Sequence, residues 1–358
     1  MTRRRNTTGI VFSFSLALGR DHPAMVTERW ARLRRLALPA LGAAVVVWAA
    51  RHLSTVGASW SAAWHLIAHL PWPWPVGLGV VWLLGLCVHT VVLTASMPGL
   101  THRRALALNL SGSAVANVLP LGGVAGTALN LGMVRGWGHS TLEFARFVVV
   151  SKAWDVVAKL VMPLVAVAVL LASGRAGVLW LVAGLAGAVA AALVVAALLG
   201  RATPLLRVVA AVEWCARRLG RPPSASWTAA VAALLEGADR LVRRRWAELS
   251  WGMAGYWLLQ GALLWLCLRA VGAHLPLPVV LAGLVTERAL TLLALTPGGA
   301  GLVETGTIAV LIALDADPSA ALAGVLLFRG FVFLAEIPVG GLAAALWLVN
   351  RRLVSRSA

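Results

Sequence analysis

Apolar positions in this chain gather into runs long enough to cross a bilayer, rather than into the alternating or one-faced stripes of a water-soluble fold. Six such runs, at 33–50, 76–97, 145–172, 177–199, 249–271 and 319–349, predict spanning helices. Two further apolar stretches, 105–134 and 279–314, are interrupted near their middles. The interruptions read Leu119-Pro120-Leu121-Gly122-Gly123-Val124-Ala125-Gly126 and Thr296-Pro297-Gly298-Gly299-Ala300-Gly301. Proline lacks an amide proton and the glycines that follow end a helix, so each stretch predicts two half-helices meeting at a turn. At membrane depth such a break is tolerated only where protein or a wet cavity satisfies the backbone, which makes both stretches candidate re-entrant hairpins.

The polar positions then set the orientation. Arg103 and Arg104, nine arginines in the linker 201–248, and Arg351, Arg352 and Arg356 all fall on one side if the six runs span and each hairpin returns to its own side. By the positive-inside rule that side is cytoplasmic and holds both termini. Residues 1–32 predict a basic disordered tail, because the run Ile10 to Leu18 is too short to span and lacks a clear cleavage site after it; Met25 is an alternative start. Residues 33–350 form a single transmembrane domain and 351–358 a tail. The linker mixes apolar and basic residues as short amphipathic helices on an anionic leaflet would, although a solvated basic loop serving topology alone is the simpler reading. Trp60, Trp64, Trp72 and Trp74 mark an interfacial belt on the opposite side.

Composition agrees. Of the 358 residues 60% are hydrophobic and 12% charged, with mean hydropathy +0.86, which excludes a disordered chain and a secreted disulfide scaffold. Cys87, Cys215 and Cys267 imply no disulfide framework and no thiolate metal site. A net charge of +18 would suggest nucleic acid in a soluble domain; here the distribution of the charge serves topology, and no nucleic-acid partner is expected.

The pattern also hides a repeat. Pro120 and Pro297 lie 177 residues apart, and the same shift places Lys152 on Arg329. Half-repeats 33–172 and 177–349 each contain three full crossings and one hairpin, so the second is inverted relative to the first. In such a fold the substrate site lies between the two broken segments.

Ionisable residues inside apolar segments are functional candidates by default. They are Glu143, Arg146, Lys152, Asp155 and Lys159 in the first half, and Glu287, Arg288, Glu304, Arg329 and Glu336 in the second. Asp155 has helical spacing to both Lys152 and Lys159, so a structural ion pair competes with a substrate role. Half-helix N-termini expose amides, so Gly122, Gly123, Gly298 and Gly299 would cradle an anion beside Arg135 or Arg329, unless these glycines serve only close helix crossing. Asn117, before the first break, would satisfy freed backbone groups or meet a headgroup. No nucleophile elbow, phosphate loop or dinucleotide fingerprint occurs. His65 and His69 stand four apart in the Trp-rich segment with no glutamate between them, which suits an interface better than a metal site. No cofactor and no metal are expected.

Taken in order, Asn117-x-x-Pro120, Arg135-Gly136-Trp137-Gly138, a charged helix ending at Asp155, Pro297-Gly298-Gly299-Ala300-Gly301-x-x-Glu304 and Phe328-Arg329 resemble the lysylphosphatidylglycerol synthase transmembrane-region family, the flippase-type domain. The resemblance covers about residues 33 to 350, and the Pro-Gly-Gly-x-Gly-x-x-Glu motif is its more specific part. The family's first break commonly carries a carboxylate that this chain lacks, so Glu304 stands alone. The resemblance implies the lipid-translocating part as a stand-alone protein, without an aminoacyl-transfer domain.

The expected fold is therefore an all-α polytopic membrane protein of six spanning helices and two re-entrant hairpins in an inverted-topology repeat. The expected activity is a non-enzymatic lipid translocase in a bacterial inner membrane, moving a phospholipid, aminoacyl-phospholipid or polyprenyl-linked lipid between leaflets. Arg135, Lys152 and Arg329 would neutralise phosphate while Asp155 and Glu304 balance charge or recognise a cationic headgroup. The alternative is an intramembrane lipid-modifying enzyme, or an accessory subunit that presents lipid to a partner transferase.

Overall fold

The computed structural model describes residues 51, 58–119, 122–174, 203–218, 226–292 and 297–357; the expected tail 1–32, the expected spans 33–50 and 177–199, and Pro120 lie outside them. Every regular element among the described residues is helical. In chain order these are α1 (Trp60–Ala68), α2 (Pro73–Ser96), α3 (His102–Val118), α4 (Gly122–Gly136), α5 (Thr141–Ala172), α6 (Thr203–Arg218), α7 (Trp227–Ala270), α8 (Leu277–Thr291), a 3₁₀ turn (Pro297–Gly299), α9 (Leu302–Ala313), α10 (Pro318–Arg329), a π-helical turn (Gly330–Ala335) and α11 (Glu336–Ser357). The helix α11 runs on through the expected C-terminal tail as far as Ser357.

Local chemistry sets the helix starts. Ser140 opens α5 with a capping box: its side chain accepts the Glu143 amide, while Glu143 accepts the Ser140 amide at 2.6 Å. Asp317 caps α10, with Pro318 at the first helical position, and Ser226 caps α7. Three helical stretches are long and apolar enough to cross a bilayer: Pro73–Ser96, Trp227–Ala270 and Pro318–Arg352. The last is α10 and α11 joined through the π turn. Large apolar side chains such as Leu258, Leu342 and Trp251 stand exposed on these helices, a surface suited to lipid. The protein is a membrane protein.

The helix α7 is the hub, packing on α2, α5, α8 and α10. It runs antiparallel to α2, and Gly252 and Gly255 admit Val91, Val92 and Val88 to within 3.0–3.1 Å of where a Cβ would sit. Leu263, Leu264 and Leu268 of α7 join Leu284 of α8, Leu311 of α9 and Phe328 of α10 in the largest buried cluster. Small residues at crossings are the ordinary means of association in lipid, where apolar burial gives no drive.

Both interrupted stretches are helical hairpins. In the first, Gly126 of α4 lies against the Gly112 carbonyl of α3, and Gly122 against Ala116. In the second, Gly283 of α8 faces Leu311 of α9, and Gly306 faces Leu290. The first hairpin docks through α3 on α11, where Gly340 lies on the Leu110 carbonyl and Ala114. That crossing fixes the height of Asn117 beside the second hairpin's turn.

The linker folds as α6 packed on the first part of α7. Buried Glu213 of α6 clasps the start of α7, accepting from the Thr228 amide (3.0 Å), the Thr228 hydroxyl (2.8 Å) and the Ser226 hydroxyl (3.3 Å), with Arg217 on its other oxygen. These donors, Thr228 foremost, hold the carboxyl down to about 2.

Two predictions follow the packing. Gly340→Leu, which drives a side chain into α3 backbone, is expected to cost about 1–3 kcal/mol and to lower the unfolding temperature in detergent. Gly341→Leu, where a Cβ meets nothing within 4 Å, is expected to leave it unchanged. Because the folded Glu213 carboxyl ionises at about 2 instead of the ordinary 4.5, its clasp is complete above that ordinary value and is lost as pH falls toward the folded one. Electron–electron distances between spin labels at Ala210 and Ala230 should hold constant down to pH about 5 and lengthen only below it.

Candidate functional site

A cluster of charges lies buried where the second hairpin turns. The apolar run of α8 ends with Glu287 and Arg288; the chain then passes through the Pro297–Gly299 turn into α9. Gly298, Gly299 and Gly301 have φ of 57°, 73° and 87°, values that a side chain opposes, so the three glycines of the motif are required by the turn itself. Glu304 at the third position of α9 reaches back: one carboxylate oxygen accepts the Gly301 amide at 2.6 Å.

The other Glu304 oxygen accepts from Arg329 Nε at 2.6 Å. Arg329 closes α10, and its guanidinium is shared three ways. Nη2 donates to the Gly298 carbonyl at 2.7 Å, and Nη1 stands 3.7 Å from Glu287. Its planar face lies 4.8 Å from the Phe333 ring centre. One side chain therefore ties α8, the turn, α9 and α10 together. Glu287 is fully buried and Arg329 is 6% exposed.

The π turn after Arg329 completes the site. A π-helical turn leaves a backbone carbonyl without its usual α-helical donor, and the Phe333 carbonyl accepts from Asn117 Nδ2 of α3 at 3.3 Å. Phe333 also fills the space that a side chain at Gly298 would need. Glu336, buried at the start of α11, adds a third carboxylate.

Satisfaction is incomplete at Glu287 and Arg288. Arg288 Nε lies 2.6 Å from Glu287, and the Arg288 guanidinium sits over Trp257 at 4.8 Å and near Phe328 at 5.9 Å. Yet neither Glu287 oxygen, nor Nε and Nη2 of Arg288, has a well-aligned hydrogen-bond partner among the described residues. Three carboxylates face two guanidiniums here, and a donor and an acceptor remain side by side.

Eight residues singled out in the sequence meet at this cluster: Asn117, Glu287, Arg288, Gly298, Gly299, Glu304, Arg329 and Glu336. The others lie elsewhere. Gly122 is pressed against the backbone of Val115 and Ala116, and at Gly123 the space is open. Arg135 is exposed at the far end of α4, about 20 Å along that helix from its first turn. Lys152 is exposed on α5, whereas the Arg329 it was aligned with is buried. Asp155 pairs at 2.9 Å with Lys159, the structural alternative for that residue. Glu287, Arg288 and Glu336 carried a sequence signal as ionisable residues in apolar runs. Phe333 had one too, standing four residues beyond Arg329; Trp257 had none.

Residues 30–340 match the family model described as Lysylphosphatidylglycerol synthase TM region. No curated protein matches the chain significantly.

Arg329→Met is expected to destabilise the fold by about 3–5 kcal/mol, because it leaves Glu304 and the turn carbonyl buried without a donor. Arg329→Lys keeps the charge but not the three divergent contacts, and should recover only part of that loss. Thermal unfolding of the purified variants in one detergent gives both values.

Proposed function

The chain belongs to the lysylphosphatidylglycerol synthase TM region family, and we propose that it moves a polar-headgroup lipid between the leaflets of the membrane that holds it. The family links the chain to lipid handling; translocation is our reading of the site. One observation carries it: a buried charge cluster at a broken helix, with an acid and a base left partly unsatisfied. Such groups are costly at membrane depth and mark the route of polar cargo.

In this reading both hairpins are re-entrant, entering from opposite sides between six spans, two of which (33–50 and 177–199) lie outside the described residues. The basic helices α6 and the start of α7 are cytoplasmic, with both termini, in a bacterial inner membrane. Exposed Trp60, Trp64 and Trp72 mark one water–lipid boundary and exposed Trp246 and Trp251 the other. Arg329 ends α10 about 17 Å along from Pro318, near the middle of a core roughly 30 Å thick.

The chemistry suits a headgroup that carries both signs. Arg288 and Glu287 form an ion pair with unused hydrogen-bond capacity, so a phosphate would meet N–H donors of Arg288 and an amine the Glu287 carboxylate, as in an aminoacyl-phospholipid or a zwitterionic phospholipid. Arg329 and Glu304 hold the turn in place instead of meeting cargo, while the acyl chains remain in the bilayer. The protein acts as a carrier rather than as an enzyme, and its partner is the lipid.

Proteoliposomes carrying fluorescent phospholipids, with an aminoacyl-phospholipid in the panel, test this through reduction of the outer-leaflet dye. The protein should expose inner-leaflet dye, and Glu287→Gln should slow that exchange about tenfold, equivalent to ~1.4 kcal/mol in the barrier, while remaining folded. No exchange of any lipid in the panel would refute the proposal. Chemical conversion of the lipid, read by mass spectrometry, would favour an enzyme.

A further inference from the structure

A second concentration of arginine lies well apart from the buried cluster, at the bend of α7. The backbone there leaves helical geometry at Arg245 (φ −124°, ψ 18°). Beside the bend opens a cleft of about 430 Å³, lined by Arg240, Arg244 and Arg245 of α7, Arg146 of α5 and Pro98 of the α2–α3 loop.

Arg146 is not a freely solvated topological charge. Its guanidinium is seated on α7 at Gly237, where any Cβ would collide with it, and Nη2 reaches the Ala233 carbonyl at 3.4 Å. Its Nε is buried and has no partner among the described residues. Of the nearby acids, Glu236 pairs with Arg240 at 3.4 Å, Glu248 with Arg245 at 3.1 Å and Asp239 with Arg243 at 2.9 Å, while Glu143, three residues before Arg146, is hydrogen-bonded to Ser140. Neither Arg146 nor Arg244 forms an ion pair with a carboxylate among the described residues. The cleft therefore carries two guanidiniums outside any ion pair, one of them seated against α7.

Its depth identifies the counter-ion. Trp246 and Trp251 follow the bend directly and are exposed, 59% and 77%, so the cleft stands at headgroup level, where indole rings prefer to lie. Guanidinium forks match phosphate oxygens in geometry as well as charge. We propose that this cleft binds the phosphate of an anionic phospholipid from the leaflet at the arginine-rich end, as a site distinct from the one through which cargo passes. The bound lipid bridges α5 and α7 and sets the angle at which the α6–α7 hairpin leaves the membrane body.

The test uses the full chain, delipidated in detergent, with dioctanoyl phosphatidylglycerol as the probe, and reads lipid retention by native mass spectrometry and the rise in unfolding temperature. The wild type should bind the probe in preference to dioctanoyl phosphatidylcholine. Arg244→Gln should weaken binding roughly tenfold, as expected for one lost charge-assisted contact. Gly237→Ala removes no charge but displaces Arg146, and should weaken it similarly. Arg243→Gln changes net charge equally outside the cleft and should bind as the wild type does. If Arg243→Gln weakens binding as much as Arg244→Gln, or if neither cleft variant weakens it, the cleft is not the site. Equal stabilisation by inorganic phosphate or glycerol 1-phosphate would assign the cleft to a soluble anion and overturn the lipid. Arg244 is exposed and makes no hydrogen bond or ion pair with another described residue, so its variant keeps the test decisive should Gly237→Ala fail to fold.

Discussion

The guanidinium of Arg329 decides how the second half of this molecule is built. A helix interrupted inside an apolar environment leaves carbonyls and amides that nothing in hydrocarbon satisfies, and the interruption persists only if protein groups take them up. Arg329 takes up the Gly298 carbonyl and Glu304 takes up the Gly301 amide, while the two side chains neutralise each other. Glycines supply the turn's backbone angles, but the ion pair supplies its reason to exist at that depth. With the turn fixed, α8, α9 and α10 have fixed relative heights, and Glu287 is placed beside the same guanidinium.

The first hairpin is built on a different principle. Among the described residues it shows no comparable charge pair, and its two arms are joined by close backbone approach through Gly112, Gly122 and Gly126. It contributes to the cluster through α3, where Asn117 donates to the Phe333 carbonyl in the π turn and Ser113 hydrogen-bonds Glu336. The two hairpins thus share an outline in sequence while relying on different forces, one electrostatic and one steric.

That difference explains what could be read in advance. The Pro-Gly-Gly-x-Gly-x-x-Glu motif announces its chemistry, because positive φ demands glycine and the spacing to Glu304 is that of a capping box. Arg329 and its acid were legible as charges too costly to leave unpaired. Gly122 was not legible as a packing residue, since glycines that cradle an anion and glycines that admit a neighbouring backbone are the same letters. The rotation of α5 about its axis, which leaves Lys152 outward and joins Asp155 to Lys159, depends on contacts with α7 and α8 that no local pattern encodes. The π turn adds a residue within one helical run and re-aims α11, so Glu336 and Phe333 reach the cluster by a route the α-helical period does not describe.

The spacing of the buried charges also bears on how the chain is made. Glu287 and Arg288 are neighbours, so α8 carries its own counter-charge when it leaves the ribosome. Glu304 and Arg329 are separated by 25 positions and lie on different helices, and an ionised side chain without its partner is costly to place in hydrocarbon. Neither α9 nor α10 is well suited to partition into the bilayer by itself. The span from α8 to α10 is best released from the translocation machinery as one folded packet, which makes the pairing of Glu304 with Arg329 a condition of biogenesis as well as of the finished fold.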